Sequence, residues 1–141
     1  MTRWPSARRL LTVLTVLTVL TVLALPAAVV LAGNPHFVGD PAITVSGSTL
    51  TVTGKEAGLG DEAQIHVTLT ADAACVNRGG NHPEAANKTT VSASGDFPVQ
   101  NGKADFTLAV TAVFQPNCSP PMSVVFSNVV VEDAANGLRF P

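Results

Sequence analysis

From Ile43 onward, apolar residues recur at every second position. Ile43 and Val45 alternate with Thr44 and Ser46; beyond Gly47-Ser48, Leu50 and Val52 alternate with Thr49, Thr51 and Thr53. A period of two predicts strands with one buried and one wetted face, and the Gly-Ser break predicts a hairpin. The segment Lys55 to Asp61, with Gly54, Gly58 and Gly60 around it, reads as a loop. Ile65, Val67 and Leu69, interleaved with Gln64, His66, Thr68 and Thr70, open a third strand that runs toward Cys75. A Ser/Thr-rich strand from Thr89 to Ser94 follows, with a turn expected at Gly95-Asp96 before Phe97 and Val99. Asn101-Gly102 then separates that run from Ala104, Phe106, Leu108 and Val110, whose partners Asp105, Thr107 and Thr111 take the opposite face. Both turn residues tolerate positive φ, so a type I′ hairpin is expected there.

The last run changes phase. Val124 and Phe126 share one parity, Val129 and Val131 the other, with Ser127-Asn128 between them. A regular strand would expel one pair into water, so the pattern predicts either a β-bulge near Asn128 or a strand buried on both faces. Seven or so short strands, turn signals at intervals of about eight to twelve residues and no amphipathic helix predict an all-β fold, an antiparallel immunoglobulin-like β-sandwich.

The N-terminal tract has a different pattern. Arg3, Arg8 and Arg9 precede four copies of Thr-Val-Leu from Thr12 to Leu23, and no charge appears again before Asp40. A basic segment followed by a long apolar run predicts a signal peptide over residues 1–32, with Val30-Leu31-Ala32 as the cleavage site and 33–141 as a single secreted domain. Continued to Ala32, the tract is also long enough for an uncleaved anchor, but Pro26 interrupts its helix and Gly33-Asn34-Pro35 offers an accessible continuation, so cleavage is the expectation and no membrane span remains. Arg8-Arg9 does not require the twin-arginine route, because the tract is more apolar than that route needs.

Charge and aromatic content narrow the function. The region after Ala32 keeps five Lys and Arg against ten acids, a net of −5, and its cations are scattered, which excludes a phosphate-binding nucleic-acid surface. Trp4 falls in the signal and the chain has no Tyr, which removes the residues on which sugars are usually stacked. Cys75 and Cys118 are the only cysteines; in an oxidising compartment they predict one disulfide closing 43 positions. His82 and Glu84 do not complete a zinc set, so no metal or cofactor is expected.

The segment Cys75 to Lys88 departs most from strand composition. Asn77, Arg78, Gly79, Gly80, Asn81, His82 and Asn87 form a polar, turn-rich stretch beside the cross-link, where function concentrates. Secretion signal, Asn34-Pro35-His36-Phe37, Cys75-x-Asn-x-Gly-Gly-Asn-x-Pro83, Asn101-Gly102-Lys103 and Cys118-Ser-Pro-Pro-Met122 together resemble a group of small secreted proteins of actinomycete bacteria. The resemblance covers nearly all of the exported region and implies source and secretion, with no activity attached. A looser similarity is to the enediyne-carrying apoproteins, secreted sandwiches of this length that typically hold two disulfides where this chain can form one. With a bacterial source, the acceptor strings Asn87-Lys88-Thr89 and Asn117-Cys118-Ser119 are not expected to carry glycans.

Other strings read as structure. Gly58-Leu59-Gly60-Asp61-Glu62-Ala63 matches a dinucleotide fingerprint only in letters, since a strand follows where a helix must start. His36, His66 and His82 are isolated, with His66 pointing outward; Asp61-Glu62 and Glu132-Asp133 read as solvated strand ends; no nucleophile-elbow or zinc-protease motif occurs. The expectation is a non-enzymatic extracellular binding module contacting a protein or cell-envelope component through Asn77 to Asn87 and Asn117 to Met122. The alternative is a carrier for a small apolar ligand lined by Phe97, Phe106, Phe114 and Phe126.

Overall fold

Ile43 and Val45 of the first alternating run are exposed, 42 % and 53 %, on an edge strand, whereas Leu50, Val52, Ile65, Val67 and Leu69 of the next two runs are all buried to within 2 % of complete. Their neighbours in sequence face outward, so each run is a strand with one side against a shared interior. The computed structural model describes residues 33–77 and 87–141, and among these every regular element is a strand. The expected signal, 1–32, lies outside the described residues.

Eight strands run in order: β1 (His36–Phe37), β2 (Ala42–Ser46), β3 (Thr49–Ala57), β4 (Gln64–Val76), β5 (Lys88–Pro98), β6 (Lys103–Thr111), β7 (Ser123–Asp133) and β8 (Leu138–Phe140). In the first sheet β6 pairs with the whole of β3, while β2 and then β1 share its other edge. The second sheet has the order β5-β4-β7-β8. All pairings are antiparallel, and the connectivity is that of an immunoglobulin-like sandwich.

The Asn101-Gly102 turn has φ of 53° and 72°, as type I′ demands, but the expected hairpin is reduced to the single bridge Gln100–Lys103, because β5 pairs with β4 and β6 with β3 in the other sheet; the Gly47-Ser48 hairpin turns on the positive φ of Gly47. The phase change in β7 is a bulge: Thr70 pairs with Val130 but Asp72 with Ser127, so Asn128 and Val129 both stand opposite Ala71. Asn128 takes the left-handed φ of 49°, which keeps Phe126 and Val129 both against the core.

Two glycines were expected to break strands and instead lie within them. Gly54, Lys55, Glu56 and Ala57 continue β3 rather than opening a loop, and Gly95-Asp96 passes straight through β5 rather than turning. The reason is aromatic packing. The Phe106 ring lies over Gly54, where an added Cβ would stand 2.3 Å from Cζ, and the Phe97 ring covers Gly95 at 3.2 Å. One longer strand therefore replaces two expected ones, and β1 and β8, too short to show a period, bring the number to eight.

The main core gathers Leu50, Val52, Ile65, Val67, Leu69, Phe106 and Val131. A second cluster of Ala73, Cys75, Ala112 and Phe114 surrounds the Cys75–Cys118 disulfide, whose Cα atoms are 5.7 Å apart. The cross-link ties the end of β4 to the β6–β7 connection. Met122 rests on it, its sulfur 3.9 Å from Cys75 Sγ.

Candidate functional site

The outer face of the second sheet carries Thr68, Thr70 and Asp72 on β4, Thr90, Ser92 and Ser94 on β5, and Ser127 on β7. Asp72 is the central charge. Its register partners are Thr90 on one side and Ser127 on the other. Thr90 Oγ1 donates to Oδ1 at 2.8 Å, and Asn128 Nδ2 donates to Oδ2 at 2.8 Å. The bulge makes this possible, because the left-handed backbone at Asn128 turns its amide back across the sheet toward β4. These two bonds, that of Asn128 first, hold the Asp72 carboxyl below the usual range, so it stays ionised.

The carboxylate sits in an open concavity of about 550 Å³ that is lined, among the described residues, by Asp72, Ala73, Ala74, Lys88, Thr89, Thr90 and Ser127. Each Asp72 oxygen retains acceptor capacity beyond the bond it already makes, and Lys88 adds donors. The hollow thus offers a fixed anion, a cation and hydroxyls, suited to a ligand rich in hydrogen-bond donors. None of this had a local signal, since Asp72 and Asn128 are separated by 56 positions.

Of the residues expected to form the contact loop, Asn77 is exposed at the end of β4 and Asn87 is half-buried at the entry to β5. Arg78, Gly79, Gly80, Asn81 and His82 lie outside the described residues. Asn77 and Asn87 follow and precede the two strands whose ends carry Ala74 and Lys88, so the segment between them starts and finishes beside the concavity. A smaller hollow of about 240 Å³ near the disulfide is lined by Ser48, Thr111, Ala112, Val113, Phe114, Asn117 and Cys118.

Comparison with known protein families, curated proteins and solved structures finds no match to this chain. Chemistry must therefore be read from the geometry. His66 projects outward as expected but pairs with Asp96, Nδ1 to Oδ1 at 2.6 Å. Thr68 and Ser94 are the next hydroxyls along that face, one side-chain repeat further on. His36 donates from Nδ1 to the Asn34 carbonyl at 2.7 Å. Among the described residues no group of three His, Cys, Asp or Glu is arranged to hold a metal ion.

The four phenylalanines have separate surroundings. Phe106 contacts Phe37 and Phe97 edge-on or tilted, with ring centroids 6.2 and 6.1 Å apart, while Phe114 belongs to the disulfide cluster and Phe126 touches both clusters. One expectation is corrected outright: Asp133 is not a solvated strand end but fully buried, as is Glu56. Glu56 has the parity of Leu50, Val52 and Gly54 and so points inward from β3, into a space where burial, then Asp133, then Glu62 push its carboxyl up to about 8.

Proposed function

We propose that the chain is a secreted, non-enzymatic binding module that contacts an extracellular protein or cell-envelope component through the Asp72 concavity and the adjoining 77–87 segment. The observation that carries this reading is the Asp72 carboxylate, gripped by Thr90 and Asn128 inside a polar hollow with no buried role to explain it. A fixed, ionised group flanked by the hydroxyls of Thr70, Thr90 and Ser127 gives direction to recognition at little ordering cost. The disulfide supports both parts of the proposal: it fits an oxidising compartment, and it pins β4 immediately before Asn77. Carriage of an apolar ligand by the phenylalanines has less support, because Phe106 is committed to packing over Gly54.

The test is affinity capture from the envelope and medium of the producing organism with oxidised protein beginning at Gly33. Wild type is compared with Asp72→Ala, Asn128→Ala and a combined alanine replacement of Asn77, Arg78, Asn81 and His82. A partner retained by wild type and lost by the Asp72 and loop variants is the expected result. An identical captured set for all of them would rule out this surface.

A further inference from the structure

Two charged side chains, Glu56 and Asp133, are completely buried among the described residues, and they come from different sheets. Glu56 points inward from β3 near the place where β1 pairs with it; Asp133 is the last residue of β7, paired with Leu138 of β8. Asp133 is well supplied with donors. It accepts from the Asn136 backbone N–H at 3.2 Å and from Asn136 Nδ2 at 2.8 Å, and the same Nδ2 reaches Glu62 Oε2 at 3.2 Å. Glu56 is offered no donor: both of its oxygens are buried without one, and the side chain within hydrogen-bonding reach is Asp133, another acceptor.

Among the described residues no side-chain cation supplies the balance. Lys55 is bound to Asp105 at 3.1 Å on the outer face of β3, and Arg139 faces Glu132 at 3.9 Å. Lys103 of β6 and His36 of β1 both stand opposite Ala57 and are exposed, while the residues directly opposite Glu56 are Phe37 and Ala104. The charges that face Glu56 are therefore Asp133 and Glu62, both acidic. Two buried carboxylates cannot both ionise beside each other without a counter-ion.

We propose that a single proton held between Glu56 and Asp133 clasps the two sheets at this end, and that its loss releases β1 and the β7–β8 turn, making a pH-operated latch. The carboxyl of Glu56 is pushed up by burial first, and by Asp133 next, to about 8, so the latch is closed in neutral medium and opens under alkaline conditions. The released elements are the shortest strands among the described residues. β1 has two residues and β8 three, and each holds a phenylalanine, Phe37 and Phe140, against the core. Opening would bare both rings.

Carboxyl-resolved NMR of the oxidised wild-type protein, with amide exchange corrected for the intrinsic effect of pH, tests this. Glu56 should titrate near pH 8, and β1 and β8 amides should exchange about tenfold faster above that point than below it. Glu56→Gln, which keeps a neutral donor facing Asp133, should abolish the change; Asp133→Asn should bring the Glu56 titration down. Glu56 titrating in the ordinary carboxyl range, or equal opening in Glu56→Gln, would overturn the proposal. So would a melting temperature at pH 8 that millimolar Ca²⁺ raises and a chelator lowers, since a metal would then be the missing counter-ion. The wild-type titration decides the matter even if a variant does not fold.

Discussion

Gly54→Ala should destabilise the protein, against the ordinary expectation for a strand. Replacing glycine by alanine in the middle of an element usually gains about 0.5–1 kcal/mol, because glycine loses more backbone freedom on folding. Here the added methyl would stand 2.3 Å from Phe106 Cζ and 2.8 Å from Cε1. The ring cannot swing aside: it is 1 % exposed and wedged between Phe37 and Phe97. Overpacking of this kind costs about 1–3 kcal/mol, and forcing the ring off its rotamer adds about 0.5–1.5 kcal/mol. After the backbone gain, the net loss should be about 2 kcal/mol. Urea unfolding of oxidised protein should show a lowered midpoint with the slope unchanged. Phe106→Leu makes room for the methyl, so the double variant should be more stable than the two single losses predict, by about 1 kcal/mol or more. A neutral or stabilising Gly54→Ala, or a strictly additive cycle, would refute the packing argument.

Replacing Cys75 and Cys118 together should cost about 4 kcal/mol for a closed loop of 43 positions, read as a midpoint shift in denaturant; a loss below about 1 kcal/mol would mean that the unfolded chain is little constrained by the bond. Stability should fall as pH rises from 4.5 toward about 8, by at most about 1.4 kcal/mol per unit, because in that window the folded protein keeps the Glu56 proton that the unfolded chain has released. Below 4.5 and above about 8 this contribution is flat, and melting curves of Glu56→Gln should lack the slope. Asn128→Ala should raise the Asp72 titration point toward the ordinary value, measured by carboxyl NMR, with Thr90→Ala doing so to a smaller extent.

The sandwich was legible because its alternation is clean from Thr49 to Thr53 and from Ala104 to Thr111, whereas Ile43 and Val45 alternate on an exposed edge strand and Asn101-Gly102 makes a tight turn between strands of different sheets. The bulge was legible too, as a parity conflict around Asn128. What that bulge delivers was not: no local pattern links Asn128 to Asp72, since register between β4 and β7 is a property of the assembled sheet. Gly54 and Gly95 misled for a related reason. A glycine covered by a phenylalanine from the next strand, or from two positions along its own, has the same letter as a glycine in a turn. Glu56 and Asp133 were hidden by their neighbours. Lys55-Glu56 looks like a loop and Glu132-Asp133 like a wet strand end, and only the continuation of β3 past Gly54 and of β7 past Val131 gives one member of each pair the inward parity. β1 and β8 themselves are shorter than any period that could announce them.

The bulge in β7 has a consequence for how this chain can vary. Removing Asn128 would leave Val124, Phe126, Val129 and Val131 in uninterrupted alternation, with Ala71 facing a single partner and the ladder regular from Val76 to Thr68. The interior thus has no need of the extra residue, whereas the Asp72 carboxylate loses its amide donor without it. Folding and the grip on Asp72 are written at different positions of the same strand, so a one-codon deletion separates the scaffold from its held carboxylate.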